Sequence, residues 1–191
     1  MEIRDAIRER RSIRSFWPDP VPREVLERIL EAGILAPSPL NSQPWRFILV
    51  SGQKRDELVK IISEYPFYLA DLVKYYPKLG EDECVAHVRE FAKDLGSAPH
   101  LLVVTTPTMD NDYVKKVNLV ACGIALENIA LAAWAEGVGS VCLTSAIFVE
   151  KKILAHLGIQ GEELVAVMPL GYAKESPAPT PRDRSRIEFL E

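Results

Sequence analysis

Arg10-Arg11-Ser12-Ile13-Arg14 crowds three guanidinium groups and a hydroxyl into five positions. A guanidinium offers forked donors that match the oxygens of a phosphate dianion, and serine adds a neutral donor. Arg10, Ser12 and Arg14 alternate, so they converge on one anion if the chain runs extended after a short helix. The competing reading is plain electrostatics: arginines near a helix C-terminus complement its dipole and stay solvated. A second basic pair, Arg182 and Arg184, stands in the tail Pro179-Thr180-Pro181-Arg182-Asp183-Arg184. It either remains a solvated terminus or returns to the same phosphate.

The loop Pro37-Ser38-Pro39-Leu40-Asn41-Ser42-Gln43-Pro44 is stiffened by proline at three points. A stiff loop presents Ser38, Asn41 and Gln43 in fixed directions. Their donors and acceptors suit the polar edge of a flavin pyrimidine ring or a ribityl chain. An ordinary helix-to-strand loop favours the same residue types. Further on, Tyr65, Phe67, Tyr68, Tyr75 and Tyr76 form an aromatic stretch. It is either a cover for a substrate pocket, with Phe67 and Tyr68 as the candidate contacts, or a packed surface helix.

Common catalytic arrangements are missing. The sequence contains no HExxH, GxSxG, GxxxxGK[ST] or GxGxxG. Gly137-Val138-Gly139 joins a helix to a strand, whereas a phosphate-binding glycine loop needs the reverse order. His87, His100 and His156 show no ligand-like spacing, so no metal site is expected. Chemistry without a protein nucleophile, acid or base points to a cofactor.

The elements that must position these clusters follow from apolar periodicity. Residues 2–11 read as a short helix. A second helix starts at Pro22 and stops near Gly33. Strands are expected at Trp45 to Val50, Leu101 to Thr105, Ser140 to Leu143 and Leu164 to Leu170. Helices are expected at about 53–63, 83–95, 113–136 and 150–157. The helix from Tyr113 to Glu136 is apolar on nearly every face, with small residues that let another helix approach, a hint of a helical dimer core. Helices interleaved with four strands make the class α+β or α/β.

Composition sets the outer bounds. The 191 residues fit one domain, 1–191, and 48% hydrophobic content suffices for a real core. A formal charge of −4 gives no global field for nucleic acid or an anionic membrane. Cys84, Cys122 and Cys142 form no CxxC pair, which suits a reducing, cytoplasmic compartment. The charged start MEIRDAIRERR reads as no secretion signal. Glu127 and Asn128 interrupt the longest apolar run, so a buried helix is a better reading than a membrane span.

Taken in order, these motifs resemble the nitroreductase family. The resemblance rests on the run Arg10 to Phe16, then Ala36-Pro37-Ser38 with Asn41-Ser42-Gln43-Pro44-Trp45-Arg46-Phe47. It continues through the alanine-rich segment Asn128 to Ser140, Gly171-Tyr172 and Arg182-x-Arg184, covering the chain from Ile3 to about Ile187. It implies an α/β/α sandwich whose central, mixed but mainly antiparallel sheet is flanked by helices, with the long helix buried in a homodimer core. It implies FMN at the subunit interface and NADH or NADPH as reductant. Electrons would then pass through flavin N5 to an electron-poor small molecule in two alternating half-reactions.

By the same resemblance, Arg10, Ser12 and Arg14 hold the FMN phosphate and ribityl, and Arg11 lies near the pyrimidine side. Pro37, Ser38, Pro39 and Asn41 come from the other subunit, with Gln43 in support. Cys142, Leu143, Thr144 and Ser145 place their backbone beside N5, and Arg182 and Arg184 close over the phosphate. Several family members carry a Glu-Gly step where this chain has Thr144-Ser145, and residues 51–98 match poorly. A specialised relative (a reductive dehalogenase or flavin-modifying enzyme) and a non-catalytic FMN store remain as alternatives.

Overall fold

The computed structural model describes residues 2–190. Helix α1 (Ile3–Glu9) is short, and an extended strap of chain follows it. Helix α2 (Arg23–Ile34) begins after Pro22, which can lack its N–H there without loss. Strand β1 (Arg46–Ser51) leads into α3 (Gly52–Ile62), and 3-10 turns span Tyr65–Leu72 and Pro77–Gly80 before α4 (Asp82–Asp94). Then come β2 (His100–Pro107), α5 (Asp112–Ala135), β3 (Gly139–Ser140), α6 (Glu150–Leu157) and β4 (Glu162–Gly171).

The sheet order is β1-β2-β4-β3, antiparallel at every named pairing. The parallel component expected of a mixed sheet is confined to one bridge, between Ser12 and Ser140. β2 is buried from His100 to Thr106, as a central strand covered on both faces must be. Its alternation divides the core. Leu101 and Val103 face α3, α4 and α6, whereas Leu102 and Val104 face α2 and α5. A bulge opposite Val104 and Thr105 lets both Val165 and Ala166 join the second cluster.

The third expected strand is shorter than the pattern suggests. β3 ends at Ser140, and the chain bows outward before Leu143 rejoins the sheet by exchanging hydrogen bonds with Val167. The bow turns Cys142 toward solvent between buried Val141 and Leu143.

α5 is long and apolar enough to cross a membrane, yet it serves as a core helix here. Cys122, Leu126, Ile129, Ala130 and Ala133 are buried against α2 and the sheet. The opposite face is not covered within the protomer. Tyr113 and Val120 are 75% and 64% exposed, with Val114, Leu119 and Ile124 beside them.

Candidate functional site

The strap Ser12–Trp17 carries the N-terminal donors. Ile13 is fully buried and pins it, while its N–H donates to the Ser140 carbonyl at 3.0 Å. Alternation then leaves Ser12 and Arg14 on the open side. Two glycines permit the crossing. A Cβ on Gly139 would lie 2.9 Å from Ile13, and one on Gly96, at φ +66°, would lie 2.0 Å from the Arg14 carbonyl oxygen. Phe16 and Trp17 donate to the Gly96 and Tyr172 carbonyls, and Lys174 donates back to Ser15.

Arg10, Ser12 and Arg14 line one cleft of about 490 Å³, together with Gly123 and Glu127 of α5 and with Cys142 and Thr144. Arg10 Nε donates to Glu127 at 3.2 Å, leaving its terminal nitrogens free of that bond. The Arg14 guanidinium is exposed and forms no ion pair among the described residues. Arg11 turns back instead. Its Nη1 donates to the Arg8 and Arg10 carbonyls at 2.7 and 2.9 Å, and its Nε is buried without a partner.

A second cavity of about 580 Å³ adjoins the first and shares Arg14, Val141, Cys142 and Thr144 with it. Leu143 and Ser145 complete that stretch of wall, so all four predicted residues from Cys142 to Ser145 face this hollow. Tyr65 is buried at its base. Burial raises its pKa to about 12, against the opposing pull of the Ser145 hydrogen bond and the Arg14 charge. The phenol therefore stays protonated at neutral pH. Desolvation by the cleft wall and then the Glu127 carboxylate push the Cys142 thiol up, away from the thiolate form.

The remaining predicted residues lie elsewhere in the protomer. Pro37, Ser38 and Pro39 line an apolar groove of about 570 Å³ on the outer face of α5, with Tyr113, Val117 and Val120. That groove shares no lining residue with the Arg10–Arg14 cleft. Asn41 and Gln43 are exposed at φ 56° and 45°, and the Gln43 N–H donates to Ser38 Oγ at 2.9 Å. Arg182 and Arg184 are exposed and line neither cavity. Phe67 is 81% exposed and also stays off the second cavity, whereas Tyr68 stacks at 5.8 Å on Phe148, which lines it.

A sequence model described as the nitroreductase family matches residues 7–172. The chain belongs to the nitroreductase family. It is 30% identical, over 99% of its own length and 93% of the other's, to YfhC of Bacillus subtilis (strain 168), provisionally named an NAD(P)H nitroreductase. A nitroreductase with bound FMN from Desulfitobacterium hafniense DCB-2 superposes with a TM-score of 0.77 at 27% identity, covering 100% of both chains. An FMN- and NADPH-dependent nitroreductase NfnB from a Sphigopyxis strain reaches 0.81 at 21% identity over 100% of both chains, a likeness of fold.

For this nitroreductase-family chain the donor set suits a flavin phosphate. Two guanidinium groups and a hydroxyl open into one cleft, and the only carboxylate lining it, Glu127, is already bonded to Arg10. Sequence reasoning missed Glu127, Glu175, His87 and Phe91. Glu127 left a signal, as a lone charge within an apolar helix. The others become neighbours of the strap only through the fold.

Proposed function

We propose that this chain is a single-domain, FMN-dependent oxidoreductase that works as a cytoplasmic homodimer. Bound FMN would supply a carrier that takes hydride from NADH or NADPH at N5 and passes electrons to an electron-poor small molecule in alternating half-reactions.

The protein's own residues do the holding. Arg10, Ser12 and Arg14 grip the phosphate and ribityl, and the backbone from Cys142 to Ser145 lies along the ring. Tyr65, buried in the same wall as Ser145, keeps its proton at neutral pH. Pro37, Ser38, Pro39 and Asn41 would reach the flavin from the second subunit with Gln43 in support, and Arg182 and Arg184 would close over the phosphate. The exposed apolar face of α5 supports the dimer, because burying that face in a partner removes it from water.

The observation that carries this reading is the junction of a cationic cleft with an aromatic-lined hollow at Cys142 and Thr144. A visible absorption spectrum of the purified protein, followed by anaerobic titration with NADH and with NADPH, tests it. A flavin spectrum that bleaches on titration supports the assignment. Colourless protein that takes up no added FMN overturns it.

A further inference from the structure

The second cavity has an uneven chemistry. Its body is apolar, with Tyr65, Phe91 and Phe148 among the lining side chains, while Lys78 and His87 stand at the solvent-exposed side. No aspartate or glutamate lines it. Neither Lys78 nor His87 pairs with an acid among the described residues. In the adjoining hollow that shares Arg14 and His87, Glu90 pairs with Lys93, while Asp94 and Glu175 keep their negative charge and turn their oxygens to the Gly96 N–H, the Ser97 hydroxyl and the strap.

A cavity walled by aromatics favours a flat ring, and a lysine and an imidazole N–H in a lining without a carboxylate favour a negative charge on that ring. Lys78 supplies a full charge, and a neutral His87 still has one N–H to donate. We infer that the acceptor taken here is an aromatic acid, its ring among Tyr65, Phe91 and Phe148 and its carboxylate toward Lys78 and His87. The redox part of this statement rests on the flavin reading above; the binding preference belongs to the cavity alone.

Calorimetric titration of the purified protein with benzoate and with benzamide isolates that preference, because the two share a ring and neither is reducible. Benzoate binds about fivefold more tightly at low salt, and raising the salt to about 0.5 M erodes the difference. Combined Lys78→Met and His87→Gln substitution removes it, and Lys78→Arg retains it. In turnover, kcat/KM for 4-nitrobenzoate exceeds that for 4-nitrobenzamide by a similar factor, although the amide ring is the more electron-poor. Equal binding of the two probes overturns the inference, as does a preference that survives the double substitution. So does a double variant that weakens NADH or NADPH use while benzoate binding holds, since the cations then serve the nucleotide. Loss of flavin or of all turnover strikes only the proposed function, because the benzoate comparison needs neither.

Discussion

Glu175 accepts the backbone N–H of Ser15 at 3.2 Å, and the same oxygen accepts the N–H of Arg14. A carboxylate just beyond the last strand thereby holds two consecutive peptide units of the strap that carries Ser12 and Arg14. Replacing it by glutamine removes the charge and one acceptor while preserving shape. Hydrogen bonds to a charged group are worth about 1.5–3 kcal/mol, less at a half-exposed position. Glu175→Gln is expected to weaken FMN binding about fivefold by fluorescence titration, with little change in Tm. Unchanged affinity would mean that Ile13 alone sets the strap.

Gly96 makes a sharper case. Its φ of +66° disfavours any side chain, and a Cβ would collide with the Arg14 carbonyl. Gly96→Ala should cost about 2–4 kcal/mol, combining backbone strain with displacement of the strap. Denaturant unfolding measures the stability loss, and the flavin content of the purified variant should fall with it. A variant of normal stability shows that the crossing relaxes freely.

His100 gives the fold a dependence on acid. Its Nε2 accepts the Val21 N–H at 3.0 Å, so the proton resides on Nδ1, which shares a 2.6 Å hydrogen bond with Ser51 Oγ. Burial lowers the imidazole pKa. Because the folded state resists protonation, this stability is fully present above the unfolded value of about 6.5 and is lost as pH falls through the lower folded value. Tm should drop as pH falls below about 6.5, and the drop should shrink in His100→Asn. Parallel pH profiles for the two proteins would remove His100 from the account.

The uncovered face of α5 sets the fourth expectation. Val120 and Ile124 are exposed beside the Pro37–Pro39 loop. Val120→Asp places a charge where the proposed partner packs, and an unpaired buried charge costs several kcal/mol. Sedimentation velocity should show monomers, and the flavin should be lost with the dimer. A variant that stays dimeric and yellow locates the interface elsewhere.

The elements were legible because their patterns are strong. The alternating core of β2, the proline before α2 and the apolar run of α5 each left a direct mark on the sequence. β3 did not, since Val141-Cys142-Leu143 looks like a strand and bows outward only because the strap occupies the edge at Ser140. Within the candidate site, the alternation of Arg10, Ser12 and Arg14 around buried Ile13 could be read from sequence. Glu175 could not. It is 160 residues from Ser15, and no local pattern records a contact made by the return of the chain.

α5 stands between the cationic cleft and the Pro37–Pro39 groove, so in the proposed dimer each chain holds half of two different sites. Two crippled chains can then rescue each other. A chain lacking Arg14 and a chain lacking Asn41, mixed and reassembled, concentrate both defects in one cleft and leave the other whole. Random pairing makes about half of the dimers mixed, which restores about a quarter of all sites. Activity born from two inactive parents would be the genetic signature of a cofactor cradle shared across a twofold axis.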